Sequence, residues 1–411
     1  MTATQTPRNH LGTEAGSLGQ FRARTRAWLD ENVPSGWAEE FAHASRKEYA
    51  NFQRQWIRTA QSGNVAAPHW SPTWGGAGLD LEHQVVLFEE LMRADAPLAK
   101  NFFVGLNHCY ATLTEWGTQE QCERFLPRIL RGEDIWCQGF SEPGAGSDLA
   151  ALRTRAVLEG EEYVVNGQKI WSSYATVADW CLLLVRTDPD APKRKGITFL
   201  LLDLRTPGVE IRPIKQSTGE SEFCEIFLTD VRVPVSMRVG EENNGWRIAQ
   251  STLTAERGPT LLELAARLGQ SMDQLVRKAG TREIVPGCKA IDDLSIREGL
   301  ADLRTRVTII QRLCHKVVND LVRRGGAGPE ASIIKVSYSE LVQQIAEFGT
   351  ELAGLPTQEL VEQTTTEGSE PGSWMLEYIG SWTWITGGGT NNIQRNVISE
   401  RVLGLPREPQ A

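Results

Sequence analysis

The stretch from Arg153 to Ser173, RTRAVLEGEEYVVNGQKIWSS, decides the fold. It breaks into short runs with alternating apolar and polar residues, Arg153 to Leu158, Tyr163 to Val165 and Lys169 to Ser173. Such alternation predicts half-buried strands. The Asn166-Gly167 pair between the last two runs predicts a tight hairpin turn. Moving outward, the same texture continues in Ile135 to Phe140, Trp180 to Arg186, Ile197 to Asp203, Val209 to Pro213 and Phe223 to Val233, with turn signals every ten residues or so. Successive strands without intervening helices predict an antiparallel β-barrel or sandwich and exclude a doubly wound parallel sheet.

The flanks obey a different period. From Leu18 to Arg131, apolar residues recur at helical spacing, as in Phe21, Thr25, Trp28, Leu29 and in Val85, Phe88, Leu91, Met92. The glycine-rich segment Pro72 to Gly78 interrupts them as a surface loop. After Gly245 the helical period returns and is expected to persist, with apolar stripes such as Leu261, Leu264, Ala265, Leu268 and Leu300, Leu303, Val307, Ile310. The polar stretch Gln363 to Gly372 reads as a loop. The expected fold is therefore α+β in three domains: an N-terminal helical domain (1–131), a middle antiparallel β-barrel domain (132–240) and a C-terminal four-helix bundle (241–411).

A chain of 411 residues with 40% hydrophobic and 23% charged residues is ordinary globular material. A formal net charge of -9 leaves no positive field for a phosphate backbone, so nucleic acid is excluded as a partner. The seven cysteines are scattered with no C-x-x-C pair, the pattern of reduced thiols. Met1 to Ser17 lacks an apolar core, and no apolar run approaches the length of a membrane span. The expected location is the cytoplasm, without membrane insertion.

Chemistry-bearing motifs sit at the block boundaries. Phe140 to Asp148, FSEPGAGSD, is a glycine-rich loop with two hydroxyls at the end of a predicted strand. Such a loop brings backbone N–H groups close to an anionic or polar ligand, although it lacks the third glycine of a dinucleotide fingerprint. Asn166 to Ser173, NGQKIWSS, sets a tryptophan beside two hydroxyls, able to stack on a planar ring and bond its heteroatoms. Further on come Ala255-Glu256-Arg257 in a predicted helix and Gly389 to Arg395, GTNNIQR, near the C-terminus.

That order of motifs resembles the acyl-CoA dehydrogenase family of flavoproteins from Phe21 to Arg407. The resemblance implies a helical domain, a β domain and a four-helix bundle. It also implies α,β-desaturation of an acyl-CoA thioester with FAD as cofactor. A carboxylate takes the α-proton, flavin N5 takes the β-hydride, and electrons pass to electron-transfer flavoprotein. Carried over by residue, Gln138, Phe140 and Ser141 flank the flavin ring, and Ser147 meets both the FAD phosphate region and the substrate. Trp171, Ser172 and Ser173 lie over the flavin, with Ser173 bonding near N5. Thr390 and Asn392 contact FAD.

Two departures matter. Where many members carry Y-E-G-T with glutamate as base, this chain reads Gly387-Gly388-Gly389-Thr390. Some members, including the isovaleryl-CoA and long-chain enzymes, place the base in an L-x-x-E-R context. Leu253 to Arg257, LTAER, matches it, which makes Glu256 the expected base and Arg257 a substrate contact. The R-x-x-F-G segment through which many members reach a neighbour's FAD is absent from Arg277 to Ile284. Glu351 stands where glutamine is usual. These losses fit an altered homo-oligomer or one half of a heteromeric complex with a homologous subunit. Two alternatives to an active dehydrogenase stand beside it: a non-catalytic or half-site subunit, and an acyl-CoA oxidase-like flavoprotein.

Overall fold

The computed structural model describes residues 17–255, 259–324, 328–354 and 373–407. The chain divides into two compact units, Met1–Lys215 with Ser221–Glu256, and Gln216–Glu220 with Arg257–Ala411.

The first unit opens with helices α1 (Leu18–Asn32), α2 (Trp37–Phe41), α3 (Arg46–Ser62), α4 (Leu81–Arg93), α5 (Tyr110–Trp116) and α6 (Gln119–Leu130). Capping boxes start three of them. Ser17, Ser45 and Thr118 accept from the backbone of Gln20, Glu48 and Gln121, whose side chains reach back to the cap backbone. A π-helical turn, Val104–Cys109, leads into α5. Phe21 and Leu29 of α1 share a core with Val86 and Leu87 of α4.

The outer seam of that pair is ionic. Glu90 of α4 is 1% exposed and receives Arg22 at 2.9 Å, Arg26 at 2.8 Å and Arg93 at 2.7 Å. Its hydrogen bonds to Arg26, opposed by burial and reinforced by Arg93 and Arg22, hold its carboxyl down at about 2, against an ordinary 4.5. A depressed carboxyl contributes stability that is fully present above its unfolded value and is lost as pH falls through the folded one. The contribution is at most about 3 kcal/mol, less after solvent screening of the partly exposed guanidiniums. Melting curves of the wild type should therefore lose stability steadily between pH 4.5 and about 2. Glu90→Gln should be less stable at neutral pH and should lack that part of the acid slope. Parallel acid slopes for the two proteins would refute the assignment.

The sheet contains β1 (Trp136–Gly139), β2 (Arg155–Glu159), β3 (Glu162–Ser173), β4 (Trp180–Arg186), β5 (Ile197–Asp203), β6 (Val209–Pro213), β7 (Phe223–Pro234) and β8 (Arg238–Val239). The strand order is β6-β7-β3-β2-β4-β5-β8, and β1 also pairs with β4. Three findings amend the sequence reading. The sheet is mixed, because β1 runs parallel to β4 from Trp136↔Trp180 to Gly139↔Leu183, and β2 meets β4 in parallel at Arg155↔Arg186. Among the described residues its end strands β6 and β8 do not pair with each other, so the pairing does not close a barrel.

The third concerns Asn166-Gly167, which is no hairpin turn. The turn joining β2 to β3 is Gly160-Glu161, bracketed by the Glu159↔Glu162 pair, with Gly160 at φ 65°. Asn166 and Gly167 lie inside a continuous β3, where the register against β7 shifts between Val165 and Gly167. Gly167 has φ 154°, and a Cβ there would stand 2.7 Å from Thr154 Cα, so the glycine serves a close backbone approach. Asn166 meanwhile binds Asp230 of β7 through both its amide nitrogen and its oxygen, each at 2.9 Å.

β4 is buried along its whole length. Leu182 and Leu184 face a core shared with Phe125, Leu126 and Ile129 of α6, and Leu183 and Val185 face one shared with Tyr163, Val165 and Ile226. Covered faces on both sides explain why β4 and β5 read as unbroken apolar runs. Helix α7 (Gly245–Ala255) contributes Ile248 and Ala249 to the first core and ends the described part of this unit.

The second unit holds the long helices α8 (Pro259–Thr281), α9 (Leu294–Arg324), α10 (Ala331–Ala353) and α11 (Trp374–Thr386), followed by α12 (Asn391–Val397). Leu268, Met272, Val307, Ile310, Tyr338 and Ile345 are among its core residues. The helical period, expected to persist, is interrupted among the described residues. A hairpin of β9 (Glu283–Val285) and β10 (Cys288–Lys289) separates α8 from α9, turning through Gly287 at φ 80°. It is too short, and its apolar Ile284 and Val285 too exposed, to leave a periodic signal. The stretch 363–372, expected to be a loop, lies outside the described residues. All seven cysteines are unpaired. Among the described residues no helix is long and apolar enough to cross a membrane.

Candidate active site

The end of β1 and the bulged half of β3 form one surface. The Ile170 N–H donates to the Ser141 carbonyl at 3.0 Å, which sets the glycine-rich loop beside the Trp171 segment. The loop is a tight turn: Glu142 and Ala145 exchange two backbone hydrogen bonds, of 3.2 and 2.9 Å, around Pro143-Gly144. A Cβ on Gly144 or Gly146 would meet no atom within 4 Å, so the loop's outer side is open.

A buried cation holds the loop from behind. Lys169, fully buried, donates to Glu142 Oε1 at 2.8 Å and to the Phe140 carbonyl at 3.2 Å. Glu142 is completed by the Arg153 and Thr154 N–H groups at 2.6 and 2.8 Å. Burial presses its carboxyl upward, but the Lys169 ammonium and these donors outweigh it and hold it below the ordinary range. Burial lowers the Lys169 ammonium, and Glu142 offsets part of that. Beyond the loop, Arg186 of β4 donates to the Ala150 carbonyl at 2.6 Å and, through Nε, to that of Leu152 at 3.3 Å.

Between Lys169 and Ser172 the register of β3 on β7 shifts again. Trp171 takes φ 63° and is 55% exposed, its indole edge-on to Phe223 at 5.9 Å. Ser172 turns inward. Its Oγ and the Nε2 of Gln138 are buried polar atoms without a hydrogen-bond partner among the described residues. Each such group costs roughly 1–3 kcal/mol while unmet. An exposed aromatic face tied by the Ile170–Ser141 hydrogen bond to an open glycine loop is what a planar ring with an anionic tail requires, and β1 adds the unmet Gln138 Nε2, so these residues fit a flavin. Ser173 pairs in register with Phe223. Phe140 is a core residue, edge-on to Phe199 at 5.7 Å. Ser147 is exposed near the loop tip, beside Asp148, which pairs with Lys193 at 2.7 Å.

In the second unit, Thr390 caps α12, its side chain accepting from the Ile393 N–H at 3.2 Å. Asn392 is exposed and accepts from Arg395 at 3.3 Å. The side chain buried there is Asn391, which accepts from Lys335 at 2.9 Å and exchanges hydrogen bonds with Ser339. Burial, helped by the charge of Arg395, brings the Lys335 ammonium down to about 8. Glu256 and Arg257 lie outside the described residues.

Sequence reasoning assigned no role to Glu142, Lys169 or Lys335. For Lys169 a signal existed: a lysine spaced evenly from the inward-facing Tyr163 and Val165 of β3 needs a buried anion, and the nearby motif offers Glu142.

The chain matches the models of the acyl-CoA dehydrogenase N-terminal domain over residues 17–133, the middle domain over 137–231 and the C-terminal domain over 243–403. It is 36% identical over 397 residues to Acyl-CoA dehydrogenase IpdE1 of Mycobacterium tuberculosis, covering 95% of this chain and 98% of that protein. Among solved structures it is similar to the Tcur3481-Tcur3483 steroid ACAD, with a TM-score of 0.81 at 29% identity, covering 95% of this chain and 98% of that one. It is also similar to a chain of the ChsE4-ChsE5 complex of Mycobacterium tuberculosis, with a TM-score of 0.80 at 28% identity, covering 99% and 100%.

Proposed function

Because the chain belongs to the acyl-CoA dehydrogenase family of oxidoreductases, we propose that it binds FAD and desaturates a bulky, steroid-bearing acyl-CoA thioester between its α and β carbons. The observation that carries the flavin reading is the exposed Trp171 face tied to the open 141–148 loop by the Ile170–Ser141 hydrogen bond. In this reading Gln138, Phe140, Ser141, Trp171, Ser172 and Ser173 hold the ring region. Ser147 meets the phosphates and the substrate, and Thr390 and Asn392 make further FAD contacts. The bound flavin supplies a hydride acceptor.

This chain's own residues do the rest. Glu256 removes the α-proton, and Arg257 steadies the substrate beside it. The 144–147 backbone, in the loop that Lys169 anchors through Glu142, presents its N–H groups other than that of Ala145 to anionic oxygens. The replacement of Y-E by Gly387-Gly388 removes side-chain bulk, which supports a large acyl group, as does the similarity to a structure named for a steroid substrate. Electrons leave to electron-transfer flavoprotein. The division of the chain into domains 1–131, 132–240 and 241–411 belongs to the same proposal.

A second reading has a specific support. Two of the similar solved structures are named as two-protein assemblies, Tcur3481-Tcur3483 and ChsE4-ChsE5. Together with the missing aromatic between Arg277 and Ile284, this favours a heteromeric complex with a homologous subunit over a homo-oligomer.

The test is the absorption spectrum of the purified protein after reconstitution with excess FAD, alone and co-expressed with a homologous subunit. Anaerobic titration with acyl-CoA thioesters of increasing bulk follows. The expected result is a flavin spectrum that bleaches with the steroid-bearing thioester. No bound flavin under either condition defeats the proposal, and rapid oxygen consumption without added acceptor would assign an oxidase instead.

A further inference from the structure

Three consecutive glycines, Gly387, Gly388 and Gly389, lie between α11 and α12, and the last two hold φ at 61° and 82°. A run of glycines has the most backbone freedom to lose, so a fixed turn there needs fastenings from outside itself. Two are present. Gln394 of α12 donates its Nε2 to the Gly388 carbonyl at 3.0 Å and to that of Gly389 at 3.4 Å. Lys335 of α10 fastens the turn from a neighbouring helix. Its Nζ donates to the Ile385 carbonyl at 3.3 Å and to Asn391 Oδ1 at 2.9 Å, so one amine bridges the last turn of α11 and the first residue of α12. The Ile385 carbonyl is one of the last four of its helix, and a cation suits that negative end. Ser339, one turn on from Lys335 along α10, holds Asn391 as well.

We propose that Lys335 is a positioning residue: by bridging Ile385 and Asn391 it holds the 386–390 turn in the shape that receives FAD, and so sets the affinity of a cofactor it does not touch. This rests on the reading of Thr390 and Asn392 as FAD contacts. Thr390 ends the glycine turn and Asn392 follows Asn391, so both are carried by the backbone that the bridge fixes.

The surroundings of Lys335 make the strength of the bridge adjustable. Burial and the charge of Arg395 of α12 bring its ammonium down to about 8, and Arg395 itself pairs with Glu340 of α10 at 2.5 Å. Among the described residues no charged group of α8, α9 or α11 acts on it: Glu377 of α11 bonds Ser271 of α8, and Arg306 of α9 meets Gln344 further along α10. A charged donor makes a hydrogen bond roughly twice as strong as a neutral one, so the bridge is strong below about 8 and weakens as pH rises through it.

The experiment measures FAD affinity of the purified protein, with its homologous subunit where the chain alone binds none, for wild type, Lys335→Met and Lys335→Arg between about pH 6.5 and 9.5. Hydrogen exchange of the 386–391 peptide in the FAD-free proteins at neutral pH accompanies it. Wild-type affinity should fall about fivefold as pH rises through the Lys335 titration, the margin between a charged and a neutral donor. Lys335→Met keeps the stem but neither bond. It should bind FAD at least about tenfold more weakly at neutral pH, without the pH step, and exchange the 386–391 amides faster. Lys335→Arg, cationic throughout, should restore most of the affinity and show no step. If Lys335→Met does not fold, the step in wild type and its absence in Lys335→Arg decide the matter. Wild-type affinity in Lys335→Met, a pH step that persists in either variant, or faster exchange with unaltered FAD affinity overturns the inference while leaving the flavin reading intact. Failure of all three proteins to bind FAD defeats the flavin reading itself.

Discussion

Glu256→Gln should slow flavin reduction by a good acyl-CoA substrate at least about a hundredfold, the lower end of what loss of a general base costs. The amide keeps the size and most of the hydrogen-bonding shape of the carboxylate but has no site for the α-proton. FAD content and acyl-CoA affinity should survive, which separates loss of chemistry from loss of binding. In the proposed mechanism the base comes from this position because its common alternative is absent: Gly388 has no side chain. The described residues on either side of Glu256 are helical, α7 to Ala255 and α8 from Pro259. Proline at a first helical position suits a helix start.

Anaerobic single-turnover kinetics are the measurement. Near-normal reduction in Glu256→Gln would move proton abstraction elsewhere, or to a partner subunit. Grafting Gly388→Glu onto Glu256→Gln probes the common position. A Cβ there meets nothing within 4 Å, but the backbone holds φ 61°, so the graft carries a strain of about 1–2 kcal/mol and should recover only part of the rate.

The second large effect is on folding. Lys169→Met should destabilise the protein by about 3–5 kcal/mol, because it leaves Glu142 charged, buried and bonded only to two backbone N–H groups. Replacing both partners, with Lys169→Met and Glu142→Leu together, should cost markedly less than the sum of the single changes, since no uncompensated charge remains. The 141–148 loop loses its anchor in either case, so FAD affinity should fall in the double variant even where stability recovers. Denaturant titrations with a coupling analysis give the first number, and flavin binding gives the second. A single variant within about 1 kcal/mol of wild type would show that Glu142 neutralises itself or is reached by water.

Several features are legible in the chain's residue order alone. The apolar runs Trp180 to Arg186 and Ile197 to Asp203 match β4 and β5 residue for residue, because strands covered on both faces need no partner to declare themselves. Helix-period stripes mark the two helical regions, and the motif order marks the family. What fails is whatever depends on a distant strand. Asn166-Gly167 carries the composition of a hairpin turn, yet Thr154 and the β7 register make it a point of close approach inside a strand. The parallel pairing of β1 with β4 brings together segments more than forty residues apart, for which local periodicity holds no information. The backbone donors that complete Glu142 opposite Lys169 belong to the same class, since a charge acquires its function from burial and from the groups placed around it. By itself the sequence determined where the helical and the strand regions lie, which glycines and hydroxyls are gathered in motifs, and which family they compose. Only the tertiary structure decided register, sheet direction, and which polar atoms are left unmet where a ligand would lie. Secondary propensity is a sum over neighbours in the chain, whereas desolvation and hydrogen-bond satisfaction are settled between residues that meet only after folding.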